Sequence, residues 1–91
     1  MPKHEILLKP AATEDLDALR RYDAKRLLDA IEERLTHEPR KESRSRIKRL
    51  RGRQLADYRL RVDEFRVFYT VEGAEVSVLR VLHKNQCQEF Y

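Results

Sequence analysis

Apolar and polar residues alternate over Tyr58–Tyr69, in the sequence YRLRVDEFRVFY. A period of two predicts two half-buried strands, and Asp63-Glu64 falls where a two-residue turn would join them. One face of this hairpin would carry the apolar residues Tyr58, Leu60, Val62, Phe65, Val67 and Tyr69. The other face would carry Arg59, Arg61, Arg66 and Phe68, with Arg61 directly opposite Arg66.

The clustering of arginines on one face is unfavourable for a sheet. Like charges directly opposite each other destabilise a strand pair by up to about 1 kcal/mol. A sequence that accepts this cost is expected to bind an anion there. The anion that we favour is a nucleic-acid backbone.

The rest of the chain predicts an α+β fold with the order β-α-α-β-β-β. A short strand over His4–Lys9 ends at Pro10, which suits the first turn of a helix. Leu16 and Leu19 have helical spacing within a first helix over Ala11–Tyr22, for which Thr13 is an alternative N-cap. Asp23 is expected to cap a second helix from Ala24 to about His37, which ends before Pro39.

Arg40–Arg53 is a basic segment with eight Lys/Arg and one acidic residue, and it predicts a loop or short strand on the surface. Three strands follow, over Tyr58–Val62, Phe65–Val71 and Glu75–Leu82. The two helices are expected to pack as a hairpin on the apolar face of the sheet and to leave the arginine face open. All 91 residues fit one domain, 1–91.

Charge is distributed unevenly along the chain. The net charge is +4 overall, but residues 39–91 carry thirteen Lys/Arg and seven Asp/Glu, a net of +6. A basic half suggests a polyanionic partner. The alternative is a solvated basic surface without a partner.

The sequence excludes several classes of protein. Cys87 is the single cysteine, so an internal disulfide and a cysteine-based zinc site are excluded. We expect no metal and no cofactor. No apolar run approaches the ~20 residues that span a bilayer, and the N-terminus does not read as a signal peptide. A soluble, cytoplasmic protein without a membrane partner is expected.

Taken together, these features resemble the RelE/ParE toxins of bacterial type II toxin–antitoxin systems. The resemblance rests on the opening strand and helical hairpin, on KRLRG at Lys48–Gly52, on YRLRV-x-x-FRVFYTV, and on VSVLRVLHK at Val76–Lys84. It covers nearly the whole chain. It implies a small curved antiparallel sheet with two helices packed on one face.

The resemblance also implies two possible activities. RelE-like members are ribonucleases that cut messenger RNA, typically on the ribosome, whereas ParE-like members poison DNA gyrase without cleaving RNA. An inactive nucleic-acid-binding relative is a third possibility. RelE-like and ParE-like toxins are both neutralised by an antitoxin, so the resemblance implies a cognate antitoxin. We expect this antitoxin to bind the basic face with an acidic segment. A heterotetramer of toxin and antitoxin is one possible assembly.

For the ribonuclease, the resemblance implies a catalytic set. Arg59 and Arg61 occupy positions where a RelE-like enzyme has lysines, and Arg66 matches an arginine of the motif. Lys84 matches a further basic position, and Tyr91, or Phe90 in a shifted register, matches a C-terminal aromatic residue.

The substitution of arginine for lysine leaves the proton acceptor open, because arginine does not deprotonate in proteins. His83 is a candidate base, since histidine titrates near pH 6.5. The remaining candidates are expected to bind or steer RNA: Phe68 by stacking a base, and the basic residues Lys48, Arg49, Arg51 and Arg53 by contacting phosphates.

Overall fold

The computed structural model describes residues 3–44, 46–51 and 56–90. Its elements in chain order are β1 (Glu5–Leu8), α1 (Pro10–Asp17), α2 (Arg21–Leu35), β2 (Ile47–Arg49), β3 (Tyr58–Val62), β4 (Phe65–Glu72), β5 (Glu75–His83) and a final 3₁₀ helix (Lys84–Phe90). The predicted α+β class and the predicted hairpin are confirmed. Arg53 and Tyr91 lie outside the described residues.

The strands form one five-stranded sheet in the order β1-β5-β4-β3-β2. Strands β2 to β5 pair antiparallel, whereas β1 runs parallel to β5, with Ile6 beside Val76. The expectation of a purely antiparallel sheet was therefore wrong for the first strand. The helical hairpin between β1 and the rest of the sheet returns the chain in the direction that makes this pairing parallel.

The helices differ from their predicted bounds at the junction between them. Helix α1 ends at Asp17, and the extended Arg20 precedes α2. Leu19, predicted inside the first helix, instead packs from this junction against the core. Asp23 is not an N-cap but lies in the first turn of α2, where its carboxylate still complements the positive end of the helix dipole.

Two tight turns connect the last three strands. Asp63, in the turn between β3 and β4, has φ of 53°, and Gly73, between β4 and β5, has φ of 57°. Positive φ at these positions matches the twist of two-residue hairpins. Aspartate tolerates this region better than most residues with a side chain.

The apolar residues form two clusters on the two faces of the sheet. The larger cluster packs Leu27, Ile31 and Leu35 of α2 and Ala12 and Leu16 of α1 against the helix-facing side of the strands. The smaller cluster lies on the other face and contains Ala56, Phe68, Leu82 and Cys87. The helices thus cover the predicted apolar face, but the opposite face is not wholly polar.

Helix α1 also protects part of the β5 backbone. The Asp15 carboxylate accepts hydrogen bonds from Arg80 Nε at 2.8 Å, from Arg80 Nη2 at 3.0 Å and from the Val81 amide at 2.9 Å. This contact follows an irregularity in pairing, where Phe68 lies opposite Arg80 but Tyr69 lies opposite Val78. Because the parallel pairing of β1 with β5 ends at Val78, the Val81 amide lies beyond the reach of β1, and the Asp15 carboxylate supplies its acceptor.

None of the helices in residues 3–44, 46–51 and 56–90 is long and apolar enough to cross a membrane.

Candidate nucleic-acid interface

In strands β2 to β4, four basic residues lie on the sheet face opposite the helices, and we call this group the cationic face: Lys48, Arg59, Arg61 and Arg66. Arg61 is the register partner of Arg66, and Lys48 is the register partner of Arg59. Both pairs arise because β3 alternates, so its arginines face away from the helices while Leu60 is buried beneath them. The structure confirms the predicted side-by-side placement of Arg61 and Arg66.

Two of these residues are exposed and two are partly covered. Lys48 and Arg61 are exposed, whereas Arg59 and Arg66 are half-buried. Arg66 Nη1 donates to the carbonyl oxygens of Asp63 at 3.0 Å and Phe65 at 2.9 Å. Because a guanidinium has five N–H donors, these bonds hold the group against the turn without exhausting its capacity to bind an anion.

The C-terminal 3₁₀ helix covers part of this face, which the sequence did not predict. Phe68 is 0% exposed and packs in the smaller cluster with Leu82 and Cys87. The expectation that Phe68 is available to stack a base is therefore wrong. An apolar ring in the middle of a charged face is more stable when the following segment covers it than when it is exposed to water.

Cys87 anchors this covering segment. Its thiol is buried and donates to the His83 carbonyl oxygen at 3.3 Å. Burial raises the pKa of the Cys87 thiol, and the charges of Arg66 and Arg59 oppose that rise more weakly. Cys87 packs in one cluster with Phe68, on the same sheet face as the arginines, so the thiol lies beside the cationic face and desolvation favours its protonated form.

His83 lies on the other face of the sheet from the arginines. It is the register partner of Phe65, and the two rings meet edge to face with centroids 5.7 Å apart. His83 Nδ1 accepts a hydrogen bond from the Asn85 amide at 3.2 Å. Leu82, not His83, is therefore the residue opposite Arg66, and the role of His83 as a base stays a prediction.

Lys84 reaches the turn of the β3–β4 hairpin. Its Nζ forms an ion pair with Glu64 Oε2 at 2.8 Å, and its amide donates to the Glu64 carbonyl at 2.7 Å. The hydrogen bond and charge of Lys84 lower the pKa of the Glu64 carboxyl. Both groups are exposed, so the pair orients the start of the 3₁₀ helix more than it stabilises the fold.

The basic residues of the predicted basic segment are exposed wherever the structure describes them, and short polar contacts hold the segment. The Ser43 hydroxyl accepts hydrogen bonds from the amides of Arg46 and Ile47, and a Glu42 carboxylate oxygen accepts one from the Arg49 amide. Arg49 is the register partner of Tyr58, so it belongs to the helix-facing side at the sheet edge, unlike Lys48. Arg51 is exposed at the end of the described segment.

Arg46 is a basic residue that the sequence did not single out. Its carbonyl accepts a hydrogen bond from the Arg61 amide at 2.7 Å, and both residues line a groove of about 640 Å³ beside α2. An ion pair between Arg26 and Asp63 ties α2 to the hairpin turn along the same groove. Its position in the basic segment was the only sequence signal for Arg46.

The chemical capacity of this region is anion binding. Arginine forks bind phosphate oxygens in a bidentate way and keep their charge at every physiological pH. Across residues 3–44, 46–51 and 56–90, no three His, Cys, Asp or Glu side chains come together in a way that could hold a metal ion.

The sequence and the fold both match known toxins. Residues 6–86 match the family described as ParE toxin of type II toxin–antitoxin system, parDE. No curated protein sequence matches the chain significantly.

Among solved structures, the chain is similar to one from the toxin–antitoxin complex RelBE2 of Mycobacterium tuberculosis, with a TM-score of 0.73 and 23% identity over 89% of this chain and 98% of that one. It is similar to a chain of the RelB–RelE complex of Methanococcus jannaschii, with a TM-score of 0.66 and 26% identity over 87% and 91%. The archaeal RelE–RelB complex of Pyrococcus horikoshii OT3 gives a TM-score of 0.72 and 21% identity over 91% and 97%.

Proposed function

Because the chain belongs to the ParE toxin family of type II toxin–antitoxin systems, we propose that this toxin blocks translation in the cytoplasm by binding and cleaving messenger RNA on its cationic face. The observation that carries the proposal is the register of β3, which sets Arg61 opposite Arg66 and Arg59 opposite Lys48. Four cations on one sheet face are unfavourable without an anion, and a phosphate backbone supplies a row of anions.

Cleavage would proceed by attack of the ribose 2′-oxygen on the adjacent phosphorus. The P–O5′ bond breaks, which leaves a 2′,3′-cyclic phosphate and a free 5′-hydroxyl. The 2′-hydroxyl loses one proton and the leaving 5′-oxygen gains one, so the step consumes and releases no net proton. Arg61 and Arg66 would stabilise the charge that develops on the phosphorane oxygens, which is the larger part of catalysis in a preorganised site.

The other residues of the predicted catalytic set would have different roles in this reaction. Arg59 is half-buried beside Cys87 and would contact a neighbouring phosphate. Lys84 would have to exchange Glu64 for a phosphate to take part, and both partners are exposed enough to allow it. The role of Tyr91 stays a prediction from the family motif.

RNA would reach the site across the exposed end of the sheet. Lys48 continues the cationic face, and Arg51 and Arg46 extend positive charge beyond it. Such exposed charges accelerate encounter with a polyanion more than they hold it. Working on the ribosome would bring the messenger RNA to this face as an already single-stranded segment.

Gyrase inhibition without RNA cleavage is the second candidate. One observation favours it: His83 lies on the sheet face opposite the arginines, so the described residues place no histidine next to them. A toxin without a base would act by binding alone. The family match includes the ParE description, and the structurally similar chains come from RelE complexes.

A cognate antitoxin is the second partner. The similar structures are antitoxin–toxin complexes, which supports one for this chain. We propose that an acidic antitoxin segment covers the cationic face or the adjoining groove beside α2, because either would neutralise Arg61. A heterotetramer of two toxins and two antitoxins is compatible with such a contact.

The test uses the double variant Arg61→Glu, Arg66→Glu. Added to a translating extract, the native chain should cut messenger RNA at positions that end mapping can locate, and the double variant should lose at least about a hundredfold in rate, as expected for removal of transition-state donors. The matched control is Arg21→Glu, Lys25→Glu, which reverses the same charge on exposed α2 positions.

Three outcomes separate the candidates. Loss of cleavage in the double variant, but not in the control, supports the ribonuclease. A folded double variant that stays fully toxic contradicts it. Intact RNA together with inhibited DNA supercoiling by the native chain would establish the gyrase reading instead.

A further inference from the structure

Strand β1 leaves one edge of the sheet unpaired. It is an edge strand of the sheet, with β5 on its inner side. The amides of Glu5 and Lys9 donate inward, to the carbonyl oxygens of Ala74 at 2.7 Å and Val78 at 2.9 Å. Since backbone groups alternate along a strand, those of Ile6 and Leu8 point outward, where the described part of the chain places no strand.

Apolar side chains border this edge on both faces of the sheet. Leu7 is 43% exposed on the face away from the helices, and Leu28 of α2 is 42% exposed on the other. Between β1 and α2 lies a groove of about 410 Å³, with an apolar floor formed by Ile6, Leu8, Leu28 and Ile31. Leu7 and Leu28 are two of the three large hydrophobic residues exposed in the described ranges.

We propose that β1 pairs antiparallel with β1 of a second copy of the chain, about a two-fold axis that passes beside Leu7. In this register Ile6 lies opposite Leu8 of the second copy and Leu7 lies opposite Leu7. Ile6 and Leu8 then form hydrogen-bonded pairs through their outward groups, as an antiparallel ladder requires. The two sheets become one continuous sheet.

The charges on β1 select this register. With Leu7 on the axis, Glu5 of each copy faces Lys9 of the other, so two reciprocal ion pairs form. Shifting the axis to Ile6 would set Glu5 opposite Leu7, and shifting it to Leu8 would set Leu7 opposite Lys9. Only the Leu7-centred register pairs every charge with its opposite and every apolar residue with an apolar one.

The ends of β1 limit the ladder in the same register. His4 would lie opposite Pro10, which has no N–H to donate. The His4 amide is already bonded to the Thr36 carbonyl at 2.8 Å. The ladder therefore ends at His4 and Pro10, because neither residue has a backbone amide available for pairing. A short pairing that ends in this way does not propagate into a fibre.

Pairing would bury apolar surface that is otherwise exposed. The side chains of Ile6 and Leu8 from the second copy would enter the groove beneath Leu28, and the two Leu7 side chains would meet on the opposite face. Because the axis is perpendicular to the sheet, the cationic faces of both copies would open on the same side and remain uncovered. The interface is small, so the dimer should be weak and concentration-dependent.

The charge test uses the single variants Glu5→Lys and Lys9→Glu. Each places like charges in both reciprocal pairs, and its self-association measured by sedimentation velocity should weaken by about tenfold or more. Mixing the two variants restores opposite charges at both positions, so a heterodimer should form. The double variant Glu5→Lys, Lys9→Glu should recover the native association.

A cross-linking test reads the same register independently. Opposite residues of a non-hydrogen-bonded antiparallel pair have Cα atoms about 4.5 Å apart, within disulfide range. In a Cys87→Ala background, Leu7→Cys should form an intermolecular disulfide on mild oxidation. Tyr22→Cys, which is 69% exposed on α2, is the matched control and should not cross-link at the same rate.

Two results would overturn the dimer. One is a native chain that sediments as a monomer at concentrations up to about 1 mM, which is the dissociation constant of a weak complex. The other is equal cross-linking of the Leu7→Cys and Tyr22→Cys chains. If the edge instead receives an antitoxin strand, the free toxin stays monomeric and mixing the charge variants restores nothing. RNA cleavage is not the readout, so failure here leaves the proposed function untouched.

Discussion

Arg61 and Arg66 lie directly opposite each other in the β3–β4 hairpin. Arg61 is exposed, and its neighbour is held against the turn by two backbone carbonyls. The pair therefore costs stability in the free toxin and should be relieved by a bound anion.

Replacing Arg61 with threonine should stabilise the free toxin. The substitution removes one like-charge contact and supplies a residue that suits a strand, so the free energy of unfolding should rise by about 0.2–1 kcal/mol. Urea unfolding at low salt measures it, and the gain should shrink at high salt because screening already weakens the repulsion. A loss of stability would contradict the unfavourable pairing.

Tyr69 supports the loop that follows α2. Its ring is fully buried and its hydroxyl donates to the Pro39 carbonyl at 2.7 Å. Tyr69→Phe should lower the free energy of unfolding by about 1–3 kcal/mol, because a buried carbonyl loses its partner. Tyr22→Phe, at an exposed position, is the control, and an equal effect of both substitutions would show that the hydrogen bond contributes little.

The same tyrosine predicts a loss of stability in alkali. Burial, and secondarily Tyr58, raise the pKa of Tyr69 well above its ordinary value. In the unfolded chain tyrosine ionises near pH 10. The stabilisation is therefore fully present below about pH 10 and declines above it, since only the unfolded state then releases the proton. Comparing unfolding midpoints of native and Tyr69→Phe chains between neutral and alkaline pH measures the difference.

Asp15 joins α1 to β5 through Arg80 and the Val81 amide. Asp15→Ala removes all three hydrogen bonds and should destabilise the fold by about 2–3 kcal/mol, discounted because Arg80 is partly exposed. Asp15→Asn retains an acceptor oxygen and should lose less. Hydrogen exchange of the Val81 amide should accelerate in the alanine variant, and unchanged protection there would refute the assigned contact.

The contribution of the Lys84–Glu64 ion pair should depend on pH in the acid range. Lys84 lowers the pKa of Glu64, so the contribution of the pair is present above the ordinary glutamate pKa and is lost as pH falls through the lowered value. Lys84→Met should raise the pKa of Glu64, which an NMR titration of its carboxyl carbon measures. Lys41→Met, which removes an exposed pair with Glu38 elsewhere, should leave the Glu64 titration unchanged.

The β3–β4 hairpin and its register were readable from the sequence. Strand alternation has a fixed period, so the residues of Tyr58–Val62 and the turn at Asp63-Glu64 follow from local pattern alone. The pairing of Arg61 with Arg66 then follows without any tertiary information. The basic segment and the apolar stripe of α2 are likewise local properties.

The parallel pairing of β1 and the short α1 were not readable in this way. Which edge a strand joins depends on how the helical hairpin packs, and Leu19 leaves its helix because the core offers it a site. Local propensity cannot register that gain.

The composition of the candidate site depended partly on local pattern and partly on tertiary contacts. The sequence determined that arginines crowd one face of a hairpin, because side-chain direction in a strand is fixed by parity. Only the tertiary structure decided that Phe68 is covered by the C-terminal 3₁₀ helix and that His83 faces away from the arginines. The physical reason is that both outcomes depend on the register of β5 against β4 and on burial by a distant segment, which are long-range contacts that no local pattern encodes.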